Sequence, residues 1–215
     1  MISLQDQLDE ITANTRQLVQ AERLAVGERV VAELFASQIE ERILPVGALA
    51  PEFALEDACG RVVRSADLLS LGPLVIKFFR GRWCPYCVTE LEAWRDLYPA
   101  LRERGALLVA ISPQTPRQSD FMVGQHGLPY PVLSDPGCAF AEQFSLSYTV
   151  PSYLREYYLS ILVNLPFING AAAWRLPLPA TYVVGQDGRI AFAEAHADFR
   201  VRPEPGEALA AFDRA

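Results

Sequence analysis

The residues of this chain best suited to chemistry are two cysteines three apart, in Trp83-Cys84-Pro85-Tyr86-Cys87. The apolar run Leu74-Val75-Ile76-Lys77-Phe78-Phe79 precedes them, and a helix-patterned stretch from Val88 to about Arg104 follows. At such a strand-to-helix junction the helix N-terminus favours an anion, so a thiol placed there loses its proton more readily. Only the thiolate attacks a disulfide or a peroxide at a useful rate. Attack on sulfur gives a mixed disulfide and attack on oxygen gives a sulfenic acid. The second thiol then displaces the adduct and closes a Cys84–Cys87 disulfide. Another dithiol protein would have to reopen it. Arg80 and Arg82 place positive charge beside the pair, Trp83 would shield one side, and Pro85 would fix the turn.

The same spacing serves a structural disulfide or half of a zinc site. Zinc normally takes four ligands, and the chain has neither a second C-x-x-C nor an H-x-x-x-H. The expectation is therefore redox chemistry with no metal and no cofactor. Cys59, in a predicted hairpin turn, and Cys138, at a predicted helix start, read as ordinary structural thiols. His126 and His196 lie far apart, which argues against a Cys-His hydrolase. Lys77 interrupts an apolar strand and reads as snorkelling to an edge rather than reaching the sulfurs. Glu90 reads as a helix-solvating residue, and Asp198, Arg200 and Arg202 as a surface or interface cluster.

Composition narrows the setting. A chain of 215 residues suits one domain of ordinary size with an appendage. About half the residues are apolar, as in globular chains. A net charge of −7 argues against nucleic acid, which needs a basic face. Four cysteines are too few for a secreted disulfide scaffold of this length. The start Met1-Ile2-Ser3-Leu4-Gln5-Asp6 lacks the basic residues and apolar block of a signal peptide. No apolar run is long enough to span a bilayer. The expected setting is the cytoplasm, away from membranes.

Several elements must position the pair. The first 43 residues contain one glycine and no proline, and Leu4, Leu8, Ile11, Thr15 and Leu18 fall at helical spacing, as do Val30, Leu34 and Ile39. One long helix or two shorter ones are predicted there, then a linker from Pro45 to Pro51 and a short hairpin around Asp57–Gly60. Strand 74–79, helix 85–104, strand 106–111, helix 116–126, strand 130–134 and helix 138–144 then alternate, as in a parallel sheet with helices on both faces. The rhythm breaks from Ser145 to Trp174, which reads as a helical insertion able to roof an active site or mediate self-association. Two antiparallel strands around Gln186-Asp187-Gly188 and a helix from Pro205 to Ala215 complete the chain.

Taken together, the motifs resemble the thioredoxin superfamily, and within it the peroxiredoxin-like alkyl hydroperoxide reductase/thiol-specific antioxidant (AhpC/TSA, redoxin) family, from about Val46 to Phe212. The resemblance rests on Phe79-Arg80-Gly81-Arg82-Trp83-Cys84-Pro85-Tyr86-Cys87 and on Ala110-Ile111-Ser112-Pro113-Gln114. It rests equally on Pro131-Val132-Leu133-Ser134-Asp135-Pro136-Gly137 and on Leu178-Pro179-Ala180-Thr181-Tyr182-Val183-Val184. It implies an α/β thioredoxin fold, a central mixed sheet flanked by helices, with an N-terminal helical extension (1–44) and a domain (45–215) carrying a helical insertion before the cis-Pro loop. It also implies an antioxidant oxidoreductase acting on a hydroperoxide or a protein disulfide and reset by a dithiol such as thioredoxin or glutaredoxin.

Against thioredoxins, Cys84 is the exposed attacking thiol, Cys87 resolves, and Pro179 matches the cis-proline that presents backbone to a thiol substrate. Against peroxiredoxins, Cys87-Val88-Thr89-Glu90 matches the peroxidatic cysteine and its followers. Cys84 then stands where that family has a threonine, and no arginine occurs near Pro179 to activate peroxide, a role left to Arg80. Alternatives are thioredoxin- or TlpA-like disulfide exchange without peroxidase activity, and a non-catalytic redox-sensing interaction module. The amphipathic N-terminal segment favours a homodimer that buries its apolar face, although it could equally fold back on its own domain.

Overall fold

The computed structural model describes residues 2–212. Two helices lead, α1 (Leu4–Leu18) and α2 (Ala21–Ala36). A hairpin of β1 (Ala54–Asp57) and β2 (Val62–Arg64) follows, then α3 (Ser65–Leu71), β3 (Leu74–Phe78), α4 (Pro85–Glu103), β4 (Leu107–Ser112), α5 (Pro116–His126) and β5 (Val132–Ser134). Helix α6 (Ala139–Gln143) comes next, and the expected insertion after it holds β6 (Ser147–Thr149), α7 (Ser152–Ser160) and α8 (Leu165–Asn169). The chain closes with β7 (Arg175–Pro177), β8 (Ala180–Val184), β9 (Ile190–Ala195) and α9 (Pro205–Phe212). The last residues of the predicted terminal helix, 213–215, lie outside the described ones.

Seven strands form one mixed sheet in the order β2-β1-β5-β4-β3-β8-β9, a thioredoxin fold with additions. Strand β3 is its axis, parallel to β4 and antiparallel to β8, with Ile76 opposite both Val109 and Tyr182. Strand pleating splits β3 between two cores. Leu74, Ile76 and Phe78 face one packed with Phe140, Phe144, Leu154 and Tyr158. Val75 and Phe79 face the other, built from Leu4, Leu8, Cys87, Leu91 and Trp94. The insertion is not purely helical, because β6 pairs antiparallel with β7 in a small second sheet.

The N-terminal segment forms two helices, and both fold back. Ser3 and Asp6 close a capping box on α1. The Glu204 carboxylate accepts from the first-turn amides of Leu4 (3.2 Å) and Gln5 (3.0 Å), where the helix dipole favours an anion. Leu4 and Leu8 bury against α4, and α2 buries Val30, Val31 and Leu34 toward α7. Part of the apolar surface that pointed to a homodimer is thus buried on the chain's own domain, while Leu18 and Phe35 stay exposed. Residues 45–51 are not a free linker either. Gly47 and Ala50 donate to the carbonyls of Ile190 (2.8 Å) and Gly188 (2.9 Å), covering the open edge of β9.

Candidate active site

Cys84 is the N-cap of α4 and Pro85 its first residue, where a missing N–H costs nothing and φ is already helical. Cys87 sits one turn in. The two Sγ atoms are 3.0 Å apart, the Cys87 thiol donating to Cys84, at hydrogen-bond rather than covalent distance. The loop before them turns at Gly81 (φ +142), where a side chain would strike the Trp83 indole, a Cβ lying 2.7 Å from Trp83 Nε1. Glycine there lets the indole fold back beside the sulfurs.

Cys84 is not on the outer surface: it is 1 % exposed and Cys87 0 %. The expected exposed thiol is instead part of the wall of a cavity of about 850 Å³, bounded by α1, α2, the start of α4 and α7. Thr12 and Tyr86, whose hydroxyls share a hydrogen bond of 3.2 Å, join α1 to α4 at its edge. The helical pair and the insertion, both packed onto the domain, provide the roof.

Two arginines serve the pair. Arg80 is buried and its Nη2 donates to the Tyr158 hydroxyl. Its guanidinium lies 4.8 Å from the Trp83 ring centroid and 4.3 Å from that of Phe199. Arg202 is also buried, a correction to the expected surface cluster, since it leaves Asp198 and Arg200 paired with each other near the surface and turns inward. Its Nη2 donates to Cys87 Sγ at 3.6 Å and its Nε lies 3.1 Å from Glu90 Oε2. Arg82, by contrast, spends its guanidinium on Gln118 (2.5 Å) and on the face of Phe121.

Lys77 and Glu90 also depart from expectation. Both are fully buried, and Lys77 Nζ donates to Glu90 Oε1 (2.5 Å) and Thr181 Oγ1 (2.7 Å). Snorkelling is closed to Lys77, because β3 lies mid-sheet and α4 covers that face. A signal for this contact exists in the sequence. Lys77 shares a strand face with Val75 and Phe79, and Glu90 is one helical turn from Cys87, so both fall on the buried strand–helix interface. Arg202 carries no such local signal, being over a hundred residues away in a loop. Tyr158, inside the insertion, is equally silent.

These surroundings displace the two thiols in opposite directions. Burial opposes ionisation of Cys84, but the hydrogen bond from Cys87 and the charges of Arg80 and Arg202 outweigh it and lower its pKa to about 6. Burial, the thiol hydrogen bond and the neighbouring Cys84 charge push Cys87 well above the usual thiol range. Burial likewise pushes Cys138 up, while Cys59 is exposed in its turn. Burial lowers the pKa of Lys77 against the pull of Glu90.

Pro179 is buried at the entry to β8, beside Ala180, which pairs with Phe78 where the cysteine loop leaves β3. The expected cis bond is absent: no peptide bond among the described residues is cis. The chain stays extended from β7 into β8, and Leu178 N donates to Leu146 O at 2.8 Å, so the ordinary trans form continues the strand. Among the described residues no cluster of three or more His, Cys, Asp or Glu is placed to hold a metal ion, and no helix is long and apolar enough to cross a membrane.

Comparison with known proteins agrees with this geometry. The chain is 32% identical over 114 residues to the thiol-disulfide oxidoreductase ResA of Bacillus thuringiensis (strain Al Hakam), covering 53% of this chain and 63% of that protein. It thus spans less than two thirds of that relative's length. It is 31% identical over 91 residues to the chloroplastic peroxiredoxin Q of Gentiana triflora, 42% of each chain. The crystal structure of peroxidoxin BcpB from Mycobacterium tuberculosis shares the fold, with a TM-score of 0.63 and 23% identity over 80% of this chain and 97% of that one. Residues 46–193, most of the chain, match the model of the AhpC/TSA family, and the chain belongs to that family.

Proposed function

We propose that the protein is a thiol oxidoreductase that cycles Cys84 and Cys87 between dithiol and disulfide. The observation that carries this reading is the opposed displacement of two sulfurs 3.0 Å apart at the head of α4. Cys84 is the attacking thiolate at neutral pH. Cys87 stays protonated until it resolves the adduct, with Arg202 facing the charge that develops on its sulfur. Arg80, held between Tyr158, Trp83 and Phe199, stabilises the Cys84 anion. Trp83 and Pro85 orient the pair, and Pro179 supports the loop from below. A dithiol protein such as thioredoxin or glutaredoxin resets the disulfide.

The substrate on this reading is a hydroperoxide. The Cys84 thiolate attacks the terminal peroxide oxygen, so an S–O bond forms, the O–O bond breaks, and the alkoxide takes back from solvent the proton that Cys84 gave up. Cys87 then attacks the sulfenic sulfur, and its proton departs with hydroxide as water. The position of Cys84 in a cavity wall, 1 % exposed, supports a small-molecule hydroperoxide over a disulfide on a folded protein. Disulfide exchange is the second reading. It is favoured by a cysteine standing where peroxiredoxins have threonine, and by the likeness to a protein named as a thiol-disulfide oxidoreductase.

Single-turnover mass spectrometry of Cys84→Ser and Cys87→Ser tests the assignment, with hydrogen peroxide and with a disulfide substrate. Cys87→Ser is expected to trap sulfenic acid or a mixed disulfide on Cys84, while Cys84→Ser reacts slowly with both. A rapid adduct on Cys87 in Cys84→Ser would reverse the roles, and full turnover in both variants would end the proposal. Which adduct forms on Cys84 separates the two readings.

A further inference from the structure

Resetting the cysteine pair poses a problem of access. A reductant must bring a sulfur to one of two atoms whose residues are 1 % and 0 % exposed. A thiol on a folded protein brings the surrounding surface with it, and cannot pass between walls that hide Cys84 to this degree. The pair itself needs no refolding, because its sulfurs lie 3.0 Å apart at the head of one helix and need only about 1 Å of approach to bond. A wall has to yield, and the walls are unequally fixed. On one side α7 buries Leu154 and Tyr158, and Tyr158 holds Arg80. On the other, the segment from Asp9 to Arg29 contains no buried residue. It comprises the end of α1, the turn and the start of α2, and it contributes Thr15, Arg16, Leu24 and Gly27 to the cavity lining.

This segment hangs between two anchors, Leu4 and Leu8 behind it and Val30, Val31 and Leu34 ahead. Ile11 and Val26 pack against the domain only in part. Among the described residues its side chains make hydrogen bonds to the rest of the molecule at two places. Thr12 meets the Tyr86 hydroxyl at 3.2 Å, and the Glu28 carboxylate accepts from Arg200 Nη1 (2.5 Å) and Nη2 (3.1 Å). The Glu28 side chain is 54 % exposed, so water and salt compete for that tie. Asp198 keeps Arg200 in place when Glu28 lets go. Segments with few buried apolar contacts and solvent-exposed ties open at the lowest cost in free energy.

We propose that residues 9–29 are a lid, latched by Glu28–Arg200 and Thr12–Tyr86, whose opening admits a protein dithiol to the oxidised pair, while small molecules reach Cys84 with the lid shut. The incoming thiolate attacks Cys84 Sγ, a new S–S bond forms, the Cys84–Cys87 bond breaks, and Cys87 leaves as a thiolate that takes up a proton. The second thiolate of the reductant then displaces Cys84, so the reductant ends as the disulfide and this protein as the dithiol. The lid lies before residue 46, where the match to the family begins, so the gate belongs to the helical pair rather than to the shared domain. Its service to a reductant rests on the redox reading of the pair, whereas its opening does not.

Two measurements on the full chain test this, both with Cys59→Ser to remove the exposed thiol, comparing the native latch with Thr12→Val/Glu28→Ala. The first alkylates Cys84 in the reduced protein with N-ethylmaleimide and with ubiquitin carrying a maleimide on a short linker. The ubiquitin reagent is expected to react roughly fivefold faster or more in the variant, the scale of one hydrogen bond and one exposed ion pair, while N-ethylmaleimide keeps its rate. The second measures reduction of the Cys84–Cys87 disulfide by thioredoxin and by dithiothreitol. Thioredoxin is expected to gain by a similar factor and dithiothreitol to be unaffected. Rates for the large reagents that ignore the latch would overturn the lid, as would large and small reagents speeding up together, which marks general loosening. A pair that forms no reducible disulfide would fail the redox reading alone, because the alkylation ratio decides the lid without it.

Discussion

The upper and lower sides of the cysteine pair differ in kind. Above Cys84 lie a cavity, an arginine clasped by aromatic rings, and a roof of helices. Below Cys87 lie Lys77, Glu90, Arg202 and Thr181, dry and joined by short polar contacts. Two chemically identical groups 3.0 Å apart therefore hold their protons at different pH. The helix N-terminus is common to both and cannot distinguish them. Arg80 and Arg202 lower both thiols, so the distinction comes from Cys87 donating its hydrogen bond to Cys84 rather than the reverse, and from Cys87 then facing the Cys84 charge.

The largest test of the lower side is Glu90→Leu. It leaves Lys77 and Arg202 buried without their shared anion, and removal of one partner from such a network costs about 3–5 kcal/mol. Urea unfolding of the reduced protein should show that loss. Lys77→Met should cost less, because Arg202 still faces Glu90, and equal losses would mean that the three do not act as a network.

Stability of the reduced protein should also follow pH with a sign set by the pair. Cys84 ionises at lower pH folded than unfolded, so between about pH 6 and 9.0 the unfolded chain binds more protons and stability climbs. The slope from one such group is at most about 1.4 kcal/mol per pH unit, and the contribution is gone below the folded value. Cys87, displaced upward, reverses the trend above that window. The oxidised protein has no free pair and should lack both slopes, and a slope unchanged by oxidation would dissociate it from the sulfurs.

On the upper side, Arg80→Leu should move the Cys84 titration upward from about 6, read as the pH dependence of iodoacetamide alkylation. The smallest effect belongs to Arg82→Ala. This arginine is nearer to Cys84 in sequence, but its charge is turned toward Gln118 and Phe121. Stability should change by no more than about 0.5 kcal/mol, as for most surface changes, and the thiol titration should stay in place. A shift comparable to that of Arg80→Leu would show that sequence proximity, not orientation, sets the field.

Particular residues show where sequence reading reaches and where it stops. The C-x-x-C, the apolar strand before it and the helix after it are local patterns, and Cys84 at the N-cap with Pro85 behind it follows from them directly. Pro116–His126 with Gly127 as its stop is likewise local, the glycine taking the left-handed cap. The pairing of β6 with β7 was hidden, because two three-residue strands carry too little periodicity to separate from a helical insertion. Lys77 and Glu90 each read as solvated when taken alone, because a lone buried charge is costly while a paired one is tolerated.

From its order of residues alone this chain commits to alternating strands and helices, to a dithiol at the head of a helix, and to a helical segment in front of the shared domain. Those outcomes depend on neighbours within a few turns of chain, where spacing and capping act. The fold alone makes the two thiols unequal. It brings Arg80 and Tyr158 to one sulfur and Arg202, from the far end of the chain, to the other, and it packs the N-terminal helices on the domain beside Cys84. Electrostatic fields and cavities depend on distance in space, and contacts that join residues a hundred positions apart leave no period for a sequence to display.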